Sequence, residues 1–284
     1  MRRNQSSVTA MGIAVMRAVE SNKPAGERIC YDPFARSFVP KWMYGVFGLF
    51  IKSGYAEWRG PGVNGYLAAR ERYIDDVLHA RLAAGVEQLV ILGAGYDSRA
   101  YRFDLAGKVM AFEVDHPATQ ADKVKKVVEI FGKIPEHVRF VPVDFNTQDL
   151  GESLRTAGYD DKLVTLFIWQ GVSMYLTAEG VNDTLAYVVH NSGMGSAIVF
   201  DYVCREVLEG EQQSEVRSMR RYRFMTGEGL TFGIPKGKAE EYLLQRGFRQ
   251  AKDIGAGELK EAYFTGKNAS RKVAGGYGIA IATV

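Results

Sequence analysis

A glycine-rich turn is the first feature of the chain that could do chemistry. Gly93, Ala94 and Gly95 begin the string GAGYDSR at positions 93–99, which follows directly on the apolar run 89–92. Glycine accepts positive φ angles and lets a ligand approach the backbone, and N–H groups at a helix start attract negative charge. The pattern indicates a cofactor turn, although many proteins carry such a turn without any ligand.

Acidic residues stand at the ends of the next two apolar runs. Asp115 follows Gly95 by 20 positions, the separation at which an acid at the tip of a second strand meets a ribose. It is preferred over Glu113 because it lies nearer the carboxyl end of its run. The alternative role for Asp115 is to cap a helix before Pro117. For Asp144, adenine recognition and helix capping are about equally supported.

The details of the turn distinguish two classes of cofactor. Ser98 stands where the G-x-G-x-x-G motif of dinucleotide sites has its third glycine. The carboxylate of Asp97 would also oppose a diphosphate. A sulfonium cofactor without phosphate, S-adenosylmethionine, is therefore favoured. The main alternative is a nicotinamide-dependent oxidoreductase, for which the sequence offers no convincing Y-x-x-x-K pair or catalytic histidine.

Five short apolar runs separated by helical segments must position these residues. Such runs are typical of parallel strands covered on both faces, at positions 89–92, 109–114, 140–143, 163–169 and 196–201. Two more runs, 248–254 and 278–284, fit an antiparallel hairpin at the C-terminal edge, with no room for a full helix between them. We therefore predict an α/β, doubly wound, mostly parallel seven-stranded Rossmann-like sheet with an antiparallel C-terminal edge strand.

The remaining segments are expected to belong to the same domain as the sheet. Residues 1–84 are predicted to form an N-terminal helical cap. Residues 85–284 are predicted to form the cofactor-binding core, with a substrate-side insertion at about 202–235. The ten apolar residues 42–51 are too few to span a bilayer, for which about 20 are needed. They favour a buried helix or lid, with membrane-surface contact as a minor alternative.

Composition narrows the partners and the compartment. The 284 residues carry a net charge of only +3, so neither nucleic acid nor an anionic membrane is required as a partner. Two cysteines without metal-ligand spacing predict neither a disulfide framework nor a zinc site, and no secretory signal is recognisable, which favours a cytoplasmic protein. One basic cluster is either a solvated helix face or an anion site: Arg217, Arg220, Arg221 and Arg223.

Several strings together resemble one family. LGAGYDSRAYR, FEVDHPATQADK, VPVDF and IWQGVSMYL, in this order, are similar to motifs of the leucine carboxyl methyltransferase-like family of class I S-adenosylmethionine-dependent methyltransferases. GYLAARERYIDDVL and FGIPKGKAEEYLLQRGF extend the resemblance over nearly the whole chain. The resemblance implies O-methyl transfer without a metal, to a protein C-terminus or a small acid.

The same resemblance implies roles for particular residues. Arg70 would pair with the carboxylate of the cofactor, and Asp115 would hold its ribose. His116, next to Asp115, is interpreted as an N-terminal helix cap or a ribose neighbour and not as a catalyst. The other implied contacts are the turn residues Gly93, Ala94 and Gly95, the adenine neighbours Asp144 and Phe145, and Gln170.

One of these residues departs from the family pattern. Gln170 stands where many relatives have glutamate, so it cannot supply negative charge near the sulfonium. A non-catalytic cofactor-binding protein is therefore a second alternative. No catalytic residue is predicted firmly, and the substrate-side candidates are Tyr175, Tyr202 and Arg205. The acceptor is expected to be a carboxylate of a small molecule or peptide, which is ionised at neutral pH and needs no general base. The oligomeric state is not predicted.

Overall fold

The strands of the protein form a single seven-stranded sheet. The structure is a computed structural model that describes residues 8–144, 148–210 and 229–284. The strands are β1 Gln88–Leu92, β2 Met110–Asp115, β3 Val138–Pro142, β4 Thr165–Trp169, β5 Ala197–Val203, β6 Gln250–Ile254 and β7 Tyr277–Thr283. Their order in the sheet is β3-β2-β1-β4-β5-β7-β6, and β1 to β5 run parallel. The predicted doubly wound α/β sheet is confirmed.

Burial explains why the central strands were recognisable as apolar runs. Every residue of β1, β4 and β5 is buried, because helices cover both faces of the sheet. β3 lies at the sheet edge and is only partly buried. The strand order reverses between β1 and its neighbours β2 and β4, which opens a crevice at their carboxyl ends, the usual ligand position in such sheets.

The C-terminal edge differs from its prediction in one respect. β7 pairs antiparallel with both β5 and β6, as expected for a hairpin at this edge. The segment between β6 and β7, however, holds a helix at Ala256–Tyr263. The expectation that no full helix would fit is wrong, because this eight-residue helix buries Leu259 in the core shared with the cap.

Helices before and between the strands complete the layers. The segment before β1, which we call the cap, contains α1 Val8–Ser21, α2 Ala35–Phe38, α3 Lys41–Lys52, α4 Tyr55–Arg59 and α5 Val63–Ala83. The core adds α6 Arg99–Arg102, α7 Pro117–Phe131, α8 Leu150–Thr156, α9 Ala178–His190, α10 Arg205–Leu208, α11 Ala239–Leu244 and α12 Ala256–Tyr263. In the described ranges, no helix has the length and apolar character needed to span a membrane.

The apolar stretch at 42–51 is helical but not buried. It forms most of α3, whose Gly48 packs against Val19 of α1. The opposite side faces outward, with Trp42 66% and Leu49 68% exposed. The prediction of a buried helix is wrong because α3 packs mainly on α1 and touches α4 at one end, so much of its surface is left uncovered.

Candidate functional site

The glycine turn connects β1 to α6 at the crevice. Gly93 has φ +68° and Gly95 has φ +45°, values that favour glycine. A Cβ atom at Gly93 would lie 2.3 Å from Cγ2 of Val172. The N–H groups of Gly93 and Ala94 donate to the carbonyl of Val114 at 2.8 and 2.9 Å, which fixes the turn against β2. The turn is therefore close-packed and sterically restricted to glycine at position 93.

Asp115 lies beside this turn, as its spacing predicted. Its Oδ2 accepts a hydrogen bond from the N–H of Gly95 at 2.5 Å, and its Oδ1 accepts one from the N–H of His116 at 2.6 Å. Burial raises the pKa of Asp115 although both N–H groups oppose the shift. Asp115 does not cap α7, since that role belongs to His116, whose Nδ1 accepts from the N–H of Ala118 at 3.2 Å.

Glu113, two residues earlier on β2, points into the protein instead. Its carboxylate is fully buried and forms an ion pair with Nζ of Lys123 at 2.8 Å. Burial raises the pKa of Glu113 to about 7, against the opposing effect of Lys123. The preference for Asp115 over Glu113 therefore agrees with their positions in the fold.

Asp144 follows β3 next to this pair. β3 runs beside β2 with Pro142 opposite Asp115, so Asp144 lies at the same edge of the sheet and is half-buried. Its backbone N–H donates to Oε1 of Gln148 at 2.9 Å. Phe145, the predicted adenine neighbour, lies outside the described residues.

Arg70 of α5 reaches the crevice from the other side. Its Nη1 donates to Oδ2 of Asp201 at 2.6 Å, and Oδ1 of Asp201 accepts from the N–H of Gly171 at 2.5 Å. Burial would lower the pKa of Arg70, but Asp201 outweighs it and raises the pKa. The buried Nε of Arg70 has no partner among the described residues. Asp201 was not predicted, although an acid near the end of an apolar strand could have indicated it.

A second buried arginine, Arg99, holds this side of the crevice together. Its Nε donates to Asp75 and its Nη2 to Glu71, each at 2.8 Å. Its Nη1 bonds to Asp97 and, at 3.0 Å, to Oε1 of Gln170. Burial alone would raise the pKa of Asp97, but Arg99 and Arg17 hold it well below the usual range. Because Asp97 is paired in this way, its charge would repel a bound diphosphate less than the sequence suggested.

Gln170 joins Glu71 to Arg99. Its Nε2 donates to Oε1 of Glu71 at 2.6 Å, while its Oε1 accepts from Arg99. Burial would raise the pKa of Glu71, but Arg99, Arg17 and Arg70 lower it, so the carboxylate stays ionised. An amide can donate to a carboxylate and accept from a guanidinium at once, whereas an ionised glutamate at position 170 could only accept. The negative charge missing from position 170 is thus present on Glu71, in direct contact with Gln170.

Comparisons with known proteins identify the family of the chain. A family model for leucine carboxyl methyltransferase matches residues 10–189. A relative from Mycolicibacterium smegmatis, assigned as an S-adenosyl-L-methionine-dependent methyltransferase, is 31% identical over 240 residues, which cover 79% of each chain. YktD of Bacillus subtilis, assigned to the same class, is 31% identical over 201 residues, covering 70% of this chain and 66% of YktD.

The chain belongs to the leucine carboxyl methyltransferase family. It is an S-adenosylmethionine-dependent methyltransferase, and the nicotinamide alternative is set aside. A solved structure from Thermobifida fusca, assigned as a methyltransferase, shares the fold with a TM-score of 0.59 at 12% identity, covering 98% of this chain and 95% of that one.

The substrate-side candidates of this methyltransferase occupy different environments. Tyr175 is half-buried in a short 3-10 turn after β4. Arg205 is exposed at the start of α10. Tyr202 is 1% exposed, and its hydroxyl donates to Oδ1 of Asp253 at 2.7 Å. The structure therefore places Tyr202 in the core and not on an open surface. The basic cluster at 217–223 lies outside the described residues.

The cap of the methyltransferase covers the glycine turn, a contact that the sequence did not indicate. A Cβ atom at Gly95 would lie 3.1 Å from the Cβ of Ala10 on α1. Two turns further along α1, Nη2 of Arg17 donates to the carbonyl of Tyr96. The same guanidinium pairs with Asp32 at 3.1 Å and Glu71 at 3.6 Å. α1 is thus tied to the turn and to the Glu71 network at once.

Proposed function

We propose that this methyltransferase transfers a methyl group to a carboxylate oxygen of a small molecule or peptide. The observation that carries the proposal is the absence of a base suited to deprotonating a phenol or alcohol among the histidines. All four lie in the described ranges, at positions 79, 116, 137 and 190. His116 caps α7, the ring of His79 packs on Phe103, and Nε2 of His137 lies 2.9 Å from the carbonyl oxygen of Ala100. His190 ends α9.

A carboxylate acceptor matches this arrangement. With a pKa of about 4 it is already ionised at neutral pH, so it attacks without a general base. The enzyme then needs mainly to align the acceptor and exclude water. The description of the matched family, leucine carboxyl methyltransferase, supports the same acceptor class.

The residues around the crevice fit the cofactor. We assign Gly93, Ala94 and Gly95 to backbone contact with it, because their turn follows the carboxyl end of β1, at the crevice. Asp115 would accept hydrogen bonds from the ribose hydroxyls through the lone pairs that its two backbone contacts leave open. The other proposed contacts are His116 at the ribose and Asp144 at the adenine.

On the other side of the crevice, Arg70 is assigned to the carboxylate of the cofactor. Its unpaired buried Nε–H is a donor that a ligand would satisfy, since buried donors are almost always hydrogen-bonded. When bound, S-adenosylmethionine supplies an electrophilic methyl group on a sulfonium. The carboxylate of Glu71, which is hydrogen-bonded to Gln170 and Arg99, supplies a negative charge on this side of the crevice. α1 packs against the turn at Gly95 and Tyr96.

Product analysis with a panel of acceptors tests the carboxylate proposal. Purified protein would be incubated with methyl-labelled S-adenosylmethionine and matched acids, phenols and alcohols, including peptides with a free or amidated C-terminus. We expect label only in the acids, as methyl esters released by mild base. Base-stable labelling of phenols or alcohols, with the acids unlabelled, would contradict the proposal.

A further inference from the structure

The outer surface of the cap carries an unusual concentration of large apolar side chains. Trp58 of α4 is 71% exposed, and five residues of α3 are between 43% and 68% exposed: Trp42, Val46, Phe47, Leu49 and Phe50. We call these six residues the apolar cap face. Scattered exposed apolar residues are ordinary, but a contiguous group of this size marks an interaction surface.

The inner side of the same helix is firmly packed, so the apolar cap face is held outward. Gly48 lies against Cγ2 of Val19, at 3.5 Å from a Cβ built on the glycine. Met43, Tyr44 and Ile51 are partly buried against the apolar cluster of the cap. The hydroxyl of Tyr44 accepts a hydrogen bond from Asn22, and the guanidinium of Arg36 lies 4.4 Å from the centre of its ring. The face is therefore a formed surface of the fold.

The exposed charges of α3 and α4 are positive. Lys41 and Lys52 are exposed at the two ends of α3, where Nζ of Lys52 lies 5.7 Å from the ring centre of Tyr44, and the exposed Arg59 ends α4. Within α3 and α4, Glu57 is the one acidic residue, and its Oε1 accepts from the N–H of Gly62 at 2.7 Å. Positive charges at the ends of these two helices, next to their exposed apolar side chains, are complementary to an anionic surface. A second copy placed face to face would instead bring like charges together.

We propose that the apolar cap face docks on the surface of an anionic lipid bilayer. An interfacial helix buries its apolar side at the boundary of headgroups and acyl chains while its basic residues contact anionic headgroups. Tryptophan, phenylalanine and leucine on one side, with lysine at both ends, form such a helix in α3. The sequence shows few basic residues flanking 42–51, but Arg59 of α4 adds one beside the face, with its guanidinium 5.7 Å from the ring centre of Trp58. The proposal is independent of the acceptor class.

Co-sedimentation with lipid vesicles tests this docking on the full-length protein. Vesicles of phosphatidylcholine alone would be compared with vesicles containing a quarter phosphatidylglycerol, at low and high salt. We expect binding to the anionic vesicles, weakened by salt. Leu49→Ser/Phe50→Ser should lower the vesicle partition coefficient by about tenfold or more, since the affinity scales with buried apolar area. Lys41→Gln/Lys52→Gln should lower it by about fivefold per lysine, and only on anionic vesicles.

Matched controls separate docking from loss of folding or general stickiness. Met194 and Leu244 are exposed apolar residues far from the cap in sequence, at 73% and 43%. Met194→Ser/Leu244→Ser should leave vesicle binding unchanged, and all variants should keep the wild-type circular dichroism and S-adenosylmethionine affinity. Equal binding to neutral and anionic vesicles would overturn the proposal. It would also be overturned by a dimer, measured by light scattering, that Leu49→Ser/Phe50→Ser dissociates while the wild-type protein ignores vesicles.

Discussion

The two sides of the crevice are built in different ways. On the β2 side, Gly93 and Gly95 offer backbone and Asp115 offers a carboxylate held by two N–H groups. On the β5 side, the groups are charged side chains from distant segments: Arg70 with Asp201, and Arg99 with Glu71. The β2 side depends on local backbone conformation. The β5 side depends on opposite charges that are brought together only in the folded protein.

The β5 side should therefore be the more sensitive to loss of one charge. Arg99→Met would leave Asp75, Asp97 and Glu71 buried near one another without their shared partner. Breaking such a buried network is expected to cost about 3–5 kcal/mol of unfolding free energy or more. Urea unfolding measures this cost. Arg72→Met, on an exposed pair with Asp76, should cost less than about 1 kcal/mol. Similar losses in both variants would contradict the comparison.

The β2 side should be sensitive to steric change. Gly93→Ala places a Cβ 2.3 Å from Val172 at positive φ, and we expect a loss of about 2–4 kcal/mol in thermal or urea unfolding. Gly158→Ala is the matched control, because Gly158 also has positive φ but open space around it. It should cost only about 1 kcal/mol, the conformational part. Val172→Ala added to Gly93→Ala should restore part of the loss.

A substitution of Gln170 tests whether a negative charge is tolerated at position 170. Gln170→Glu would put a carboxylate 2.6 Å from that of Glu71, and we expect a loss of about 1–3 kcal/mol at pH 8. The double variant Glu71→Gln/Gln170→Glu exchanges the amide and the carboxylate. It should recover most of the lost unfolding free energy in the same urea titration. If Gln170→Glu alone is as stable as the wild-type protein, the assigned role of the amide is wrong.

The two sides should also respond to pH with opposite sign. Glu71 and Asp97 have lowered pKa values, so their stabilisation is present above their unfolded values of about 4 and is lost as the pH falls further. Glu113, whose pKa is about 7, contributes stabilisation below its unfolded value that is lost as the pH rises through 7. Glu113→Gln/Lys123→Met should therefore flatten the decline in unfolding free energy between pH 5 and about pH 8. An unchanged decline would contradict this.

Sequence reasoning succeeded where the determinants are local. The apolar runs became β1 to β5 nearly in place, because fully buried parallel strands need continuous apolar sequence. The contact between Gly95 and Asp115 followed from a fixed spacing between two adjacent strands. The C-terminal helix was missed because its eight residues show only a weak apolar period.

The β5 side was less predictable because its partners are far apart in the chain. Gln170 contacts Glu71 across 99 positions, and Arg70 contacts Asp201 across 131. Nothing in the string IWQGVSMYL shows that Glu71 supplies the charge that Gln170 lacks. The exposure of α3 could not be predicted from the sequence either, because an apolar run is compatible with either a core helix or an interaction surface.

The most direct test of the crevice as the cofactor site is calorimetric titration of S-adenosylmethionine into wild-type protein and Asp115→Asn. The exposed variant Asp104→Asn serves as control, as its side chain is 79% exposed. We expect wild-type protein and Asp104→Asn to bind equally. Asp115→Asn should bind about 10- to 100-fold more weakly, because it loses an ionised hydrogen-bond acceptor. Equal affinity in folded Asp115→Asn, or no binding by the wild-type protein, would contradict the account.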